Sequence, residues 1–394
     1  MNTEKIGLTL EDKNWRYSRV RKFIKDEGLD AILLSGNAWE ESNIRYITGQ
    51  YFRIGQRYAY VLFPADGEPE VFAFHPSRSY QLRAIEEFKD DIWFDGEHFH
   101  FPTFEEISSY IRKLGLENGK IGVDKVLMDA AKYEALLKVF PNAEFTDINE
   151  GFTALRRVKS PGELSLCKES ARVCDEIWDS MRYFIKPGMY DYQITAEWCR
   201  IMYANKADKD FNLMQINPYD VSVPYWTSSH SPVRIDSNSM ILMEITTCIG
   251  GYWTQRVGCA SIGEPEPVMV DLYTATSTAQ INSSKIVKPG INAKDVCLVM
   301  DETITKAGFL NSSDFNAGPH GHLMGLTMDE GTFSPQADLI LEEGMVFVLH
   351  PSAAVPGFKL GEPGMFSPGN MYVVTKNGCE KLYGLDIELM IIGE

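Results

Sequence analysis

An aliphatic-Lys-Pro-Gly turn occurs twice in the second half of this chain, each time between two helical patterns. Ile185-Lys-Pro-Gly188 leads into Tyr192 to Glu197, and Val287-Lys-Pro-Gly290 leads into Ala293 to Val296. The offset, 287 − 185 = 102 residues, exceeds the roughly 20–50 residues of a stacked solenoid repeat. The repetition therefore predicts two related halves packed about a pseudo-twofold axis. Strand-like runs at Met240 to Cys248, Tyr252 to Ile262, Met345 to His350 and Met371 to Thr375 predict a curved sheet with helices on its outside.

The first half reads differently. Strand signals at 30–35, 58–63 and 71–73 are separated by turns and bracketed by helical patterns at Trp15 to Glu27 and Phe104 to Leu114. This predicts a mixed α/β domain, residues 1–155, followed by a second domain, residues 156–394. The boundary is drawn where Ser160-Pro161 with Glu163 marks a helix start.

Composition narrows the function classes. A chain of 394 residues with 44% apolar and 24% charged residues is globular. Its 38 basic against 55 acidic residues disfavour nucleic acid, whose binders gain affinity from cationic patches. No apolar run approaches the roughly 18 residues of a membrane span. The start of the chain lacks the basic and apolar stretches of a secretion signal, so no membrane partner and a cytoplasmic location are expected. Seven scattered cysteines without a Cys-x-x-Cys pair suit buried, reduced thiols.

Candidate chemistry sits in the second half. His230 lies in a polar loop, Tyr225-Trp-Thr-Ser-Ser-His-Ser-Pro-Val-Arg234. Gly318-Pro-His-Gly-His322 sets His320 and His322 beside glycines that let backbone approach a ligand. His350 ends an apolar strand in His-Pro, and Glu244 interrupts another, Ile241-Leu-Met-Glu-Ile245. A carboxylate in that setting must be paired, ligated or protonated to offset its desolvation. His75, His98 and His100 read as surface or packing residues.

Taken in order, Arg156-Arg-Val-Lys-Ser-Pro-Gly-Glu163, the two Lys-Pro-Gly turns, Gly251-Tyr252, Gly321-His-Leu-Met-Gly325, Glu343-Gly-Met-Val-Phe-Val-Leu-His-Pro351 and Val373-Val-Thr-Lys-Asn-Gly378 resemble the pita-bread family of creatinase, prolidase and aminopeptidase P. Ile44-Arg-Tyr-Ile-Thr-Gly49 extends the resemblance to the family's N-terminal domain. It implies an α+β fold: a small N-terminal α/β domain and a C-terminal pita-bread domain with a pseudo-twofold internal repeat, commonly as a homodimer. The family's peptidases hold two metals with Asp, Asp, His, Glu and Glu. Those positions correspond here to Glu244, Gln255, His322, His350 and the neighbourhood of Gly369. Two close cations need bridging carboxylates, and this set offers one, so no metal or other cofactor is expected.

Creatinase, similar in fold, implies metal-free C–N hydrolysis with a histidine as acid/base, and its histidine corresponds to His230. Its guanidinium-holding glutamates correspond to Val257 and His350, which argues against creatine; ectoine hydrolases are a second metal-free precedent. The expected activity is hydrolysis of a small zwitterionic amidine, ureido compound or amide. His230 activates water, Glu244 pairs with the substrate cation or attacks as a nucleophile, and His322 and His350 orient the substrate. Gln255 supplies an amide contact and His320 a further polar one. Arg234, Arg256, Arg53 or Arg57 clamps a carboxylate, and Tyr225, Trp226, Tyr252 and Trp253 enclose the cation. Two alternatives stay open: a mononuclear metal site at Glu244, His322 and His350 in a Xaa-Pro peptidase-like hydrolase, and a non-catalytic relative that binds peptides or proteins.

Overall fold

A computed structural model describes residues 7–37, 39–50, 58–73, 93, 96–216, 220–222, 232–359, 364–386 and 388–393. The chain forms two compact units: Gly7–Arg156 with Ser160–Gly162, and Arg157–Lys159 with Glu163–Glu394.

The N-terminal unit is built on six strands, β1 (Ala31–Gly36), β2 (Ala59–Pro64), β3 (Glu70–Phe72), β4 (Phe99–His100), β5 (Lys120–Val123) and β6 (Glu144–Asp147), in the order β4-β3-β2-β1-β5-β6. β1 pairs antiparallel with β2 and parallel with β5. Every residue of β1 and β2 is buried, because helices cover both faces of the sheet. Ile107 and Ile111 of helix Phe104–Lys113 pack with Leu33, Leu62 and Phe72. Tyr17 of helix Leu10–Asp26 meets Phe63 edge-on, 5.0 Å between ring centroids. His98 and His100 converge on one oxygen of Glu70, at 3.2 and 2.6 Å; His75 lies outside the described residues.

The C-terminal unit carries two five-stranded sheets. One has the order β19-β10-β9-β7-β8, from β7 (Lys209–Ile216), β8 (Asp220–Ser222), β9 (Met240–Ile249), β10 (Tyr252–Ile262) and β19 (Leu389–Ile392). The other has the order β13-β12-β14-β17-β18, from β12 (Gly321–Leu323), β13 (Gly331–Phe333), β14 (Val346–Leu349), β17 (Asn370–Thr375) and β18 (Gly378–Lys381). A third, small sheet joins β11 (Leu310–Asn311), β15 (Ala353–Ala354) and β16 (Met365–Phe366).

The repeat is visible bond for bond at the two turns. Gly188 and Gly290 share φ = 90°, a left-handed conformation that glycine adopts without Cβ strain. Gly188 N donates to Ile235 O at 2.7 Å, and Gly290 N donates to Leu341 O at 2.8 Å. Isolated bridges Tyr190 to Arg234 and Asn292 to Ile340 follow in the same relative places. Each turn thus anchors the start of a helix, Asp191–Ala204 or Ala293–Lys306, to the strand-like segment of its own half.

Helix Pro161–Phe184 lies against one face of the first sheet. Ser170 Oγ donates to Thr247 O at 3.0 Å, and Cys174 Sγ to Ile245 O at 3.5 Å. Helices Pro267–Ser284 and Ala293–Lys306 cover the second sheet through Leu272, Val296, Cys297 and Met300 against Leu323, Phe333, Phe347 and Leu349. All seven cysteines are free and none is fully exposed. Among the described residues, no helix is long and apolar enough to cross a membrane.

Gly258 on β10 records how closely helix and sheet approach. A Cβ placed there would lie 2.1 Å from Cζ3 of Trp178, itself 1% exposed. Gly258→Ala should therefore lower the unfolding free energy by about 1–3 kcal/mol, as overpacking typically does. Urea unfolding measures this, and an unchanged midpoint would show that the indole has room to move.

Candidate active site

The site begins with the pairing of β9 and β10. Their antiparallel register sets Glu244 opposite Val257 and Thr246 opposite Gln255. Because side chains alternate along a strand, these four residues share the face turned away from helix Pro161–Phe184. Gln255 reaches along that face and donates its Nε2 to Glu244 Oε1.

Protein surrounds the Glu244 carboxyl. Burial raises its pKa to about 7, against the lowering effect of the Gln255 donor. Glu244 thus points inward, and near neutral pH it is divided between protonated and ionised forms.

The second sheet contributes the imidazoles. His322 sits on β12 opposite Val348, and His350 follows directly after β14. Their rings meet edge to face at 5.2 Å between centroids and 65°. Burial lowers the pKa of His350 to about 3, helped by the neighbouring His322. Burial also lowers that of His322, partly offset by Asp329. Both rings are neutral at physiological pH, and His322 Nδ1 is buried without a hydrogen-bond partner among the described residues.

An isolated bridge joins the two sheets. Val257 N donates to Gly369 O at 3.1 Å, and Gly369 N to Val257 O at 2.8 Å. A Cβ on Gly369 would lie 2.8 Å from Val257 Cγ2 and 2.9 Å from His350 Cβ. The missing side chain therefore lets His350 come up beside Val257, the cross-strand neighbour of Glu244. Through this seam of Val257 and Gly369 the Glu244–Gln255 pair of one sheet is linked to the His322–His350 pair of the other.

Other expected residues are placed elsewhere. Arg256 lies on the opposite face of β10, where its Nη1 is 2.7 Å from Asp175 Oδ1 and its Nη2 donates to the Asp386 carbonyl. From there it braces helix against sheet, on the side opposite Gln255, since neighbouring strand residues point oppositely. Tyr252 faces that same side and donates to Glu163 at 2.6 Å. His320 turns toward helix Ala293–Lys306, with Nε2 2.7 Å from Asp301 Oδ1. Its carbonyl accepts from His350 N at 2.9 Å, so His320 meets His350 through its main chain while its ring is engaged by Asp301.

Arg234 has a largely exposed side chain beside the first Lys-Pro-Gly turn, 3.8 Å from Asp236. Trp253 shares the Gln255 face and is 9% exposed; its main-chain N donates to Gly325 O at 2.8 Å. Tyr225, Trp226, His230, Arg53 and Arg57 lie outside the described residues.

Two supports gave no signal in the sequence. Gln280, fully buried on helix Pro267–Ser284, donates through Nε2 at 2.7 Å to the carbonyls of both Leu349 and Pro368. These residues immediately precede His350 and Gly369, so one carboxamide holds both strand ends. Lys159 and Glu330 form a buried ion pair at 2.6 Å beside Gly325, where a Cβ would lie 2.6 Å from Glu330 Oε2. That pair braces the turn that follows His322. Only the helical position of Gln280 was readable beforehand.

This architecture, a mixed α/β unit followed by a pseudo-symmetric two-sheet unit with helices outside, defines a two-domain hydrolase fold of the creatinase and prolidase type. The model for metallopeptidase family M24 matches residues 165–388, and that for the creatinase/prolidase N-terminal domain matches residues 16–158. The chain belongs to metallopeptidase family M24. It is 26% identical over 388 residues to an Xaa-Pro dipeptidase from Lactobacillus helveticus, covering 95% of this chain and 98% of that protein. It is 23% identical over 409 residues to an ectoine hydrolase from Halomonas elongata, covering 98% of each. The fold matches that of an Xaa-Pro dipeptidase from Bacillus anthracis with a TM-score of 0.78, at 20% identity, over 96% of this chain and 99% of that one.

The family implies a metal pair, and the side chains at the seam do not fit one. Gln255 is a neutral amide, Gly369 has no side chain, and the one carboxylate, Glu244, is hydrogen-bonded to Gln255. Among these described residues nothing bridges and neutralises two cations. Among the described residues, no three His, Cys, Asp or Glu side chains are grouped to hold a single ion either.

The raised Glu244 pKa has a consequence for stability. The folded value, about 7, exceeds the ordinary 4.5, so the folded protein holds this proton where the unfolded chain releases it. Its contribution is fully present below about pH 4.5 and is lost as pH rises through about 7. Across that window Glu244→Gln, with no proton to lose, should gain stability relative to the parent chain. Urea midpoints of both proteins measured along a pH series test this; a difference that stays constant would remove the buried acid.

Proposed function

We propose that this chain, a hydrolase of C–N bonds, cleaves a small zwitterionic substrate of amidine, ureido or amide type without a metal ion. The observation that carries the reading is the Gln255 to Glu244 hydrogen bond. It occupies the place where the family resemblance sets paired metal carboxylates, and the two imidazoles that burial keeps neutral are carried by the other sheet. The ectoine hydrolase from Halomonas elongata, matched along nearly its full length, is a relative named for a small-molecule substrate and supports that part of the reading.

In this mechanism His230, assigned by the resemblance, takes a proton from water and then delivers it to the leaving nitrogen. Ionised Glu244 pairs with the cationic end of the substrate. His322 and His350, kept neutral by burial, orient the substrate and donate N–H groups to the charge that grows as the trigonal carbon becomes tetrahedral. The reading takes the enzyme as a cytoplasmic homodimer acting on a small molecule.

Chelator-treated protein should turn over one or more members of a panel of betaines, ureido acids and cyclic amidines at an undiminished rate. Loss of that activity on chelation, restored by one particular metal, would overturn the metal-free reading.

His230→Ala should reduce turnover by about 10²–10⁴-fold while leaving the circular dichroism spectrum unchanged. Undiminished activity in this variant would displace His230 from the mechanism.

A further inference from the structure

We propose that Glu244 and Gln255 form a two-acceptor fork that selects a planar nitrogen cation bearing N–H groups, an amidinium or guanidinium, over an N-methylated ammonium. The inference rests on the hydrolase reading of the same site and specifies its substrate class.

The argument starts from an unmet hydrogen bond. Gln255 is 4% exposed, and its Nε2 is directed at Glu244. An ionised carboxylate only accepts, so the amide must present nitrogen to Glu244 and turn its carbonyl oxygen elsewhere. That oxygen, Oε1, is buried and has no partner among the described residues. Thr246, directly across the ladder from Gln255 and fully buried, has an equally unpartnered Oγ1. Buried polar groups are ordinarily satisfied, and two neighbours left open on one face of a site call for donors from a ligand.

The charge at the fork is also unmet from within. Among the described residues no Lys or Arg pairs with Glu244, and Arg256, next along the strand from Gln255, is held on the opposite face by Asp175. When Glu244 is ionised, the balancing cation must therefore be brought in. Its nitrogen must carry hydrogens, since a quaternary ammonium has none to give the Gln255 carbonyl and depends instead on aromatic walls. On β10, Tyr252 points to the other side toward Glu163 while Trp253 shares this face, so the selection rests on the open Gln255 carbonyl and not on a lack of aromatic surface.

Calorimetric titration of the purified full chain with acetamidinium, guanidinium and tetramethylammonium chlorides, at a pH above the Glu244 midpoint of about 7, tests the fork directly. Acetamidinium and guanidinium should bind about tenfold or more tighter than tetramethylammonium. Gln255→Met should lose about tenfold or more in acetamidinium affinity, while Gln255→Glu, which keeps an acceptor there, should retain it. Equal binding of tetramethylammonium, no binding of acetamidinium, or full affinity in a folded Gln255→Met variant would each overturn the proposal. Should Gln255→Met fail to fold, the comparison of cations on the parent chain decides alone. Selective binding without turnover of any C–N substrate would sink the hydrolase reading and leave the fork standing; turnover without cation selectivity would do the reverse.

Discussion

Two main-chain hydrogen bonds between Val257 and Gly369 join the sheets on which the site is built. Strands β9 and β10 bring an acid and an amide, and strands β12 and β14 bring two imidazoles. Neither sheet has a site without the other. The close approach requires that residue 369 have no Cβ, because Val257 and His350 already fill the space. A fully buried glutamine then fixes the main chain just before each partner through the Leu349 and Pro368 carbonyls.

Burial without compensating charge gives this seam its electrostatic character. A carboxylate paired with an arginine in the same place would stay ionised far below neutrality. Among the described residues Glu244 instead has only an amide donor, and desolvation lifts it toward neutral pH. The same desolvation, acting on bases, strips the proton from His350 and His322. Acid and imidazoles are thus moved toward their uncharged states by one physical cause. Among the described residues the seam carries one carboxylate, Glu244, together with imidazoles that can exchange protons or donate N–H bonds.

The duplication explains the frame but not the chemistry. Both Lys-Pro-Gly turns adopt the same φ and make equivalent hydrogen bonds to their own halves, so the symmetry survives where it governs how a helix is launched. The side chains at the seam do not follow it. One half supplies Glu244 and Gln255 from a hairpin, whereas the other supplies His322 and His350 from neighbouring strands.

The amino-acid sequence by itself determined the architecture: local turn chemistry and period-2 alternation act between near neighbours and are written directly in residue order. It also determined that Glu244 interrupts one apolar strand and His350 ends another, and that both so carry unusual demands. Tertiary structure alone decided which side of each strand faces the site. That choice separates Gln255 from Arg256 and His322 from His320, because adjacent residues point oppositely and a distant partner settles which one turns inward. Asp175, 81 residues from Arg256, draws that arginine away, and Asp301 does the same for His320. Gln280 was invisible for the same reason: its role depends on two carbonyls 69 and 88 residues away, and a backbone carbonyl has no signature in the residue type that carries it.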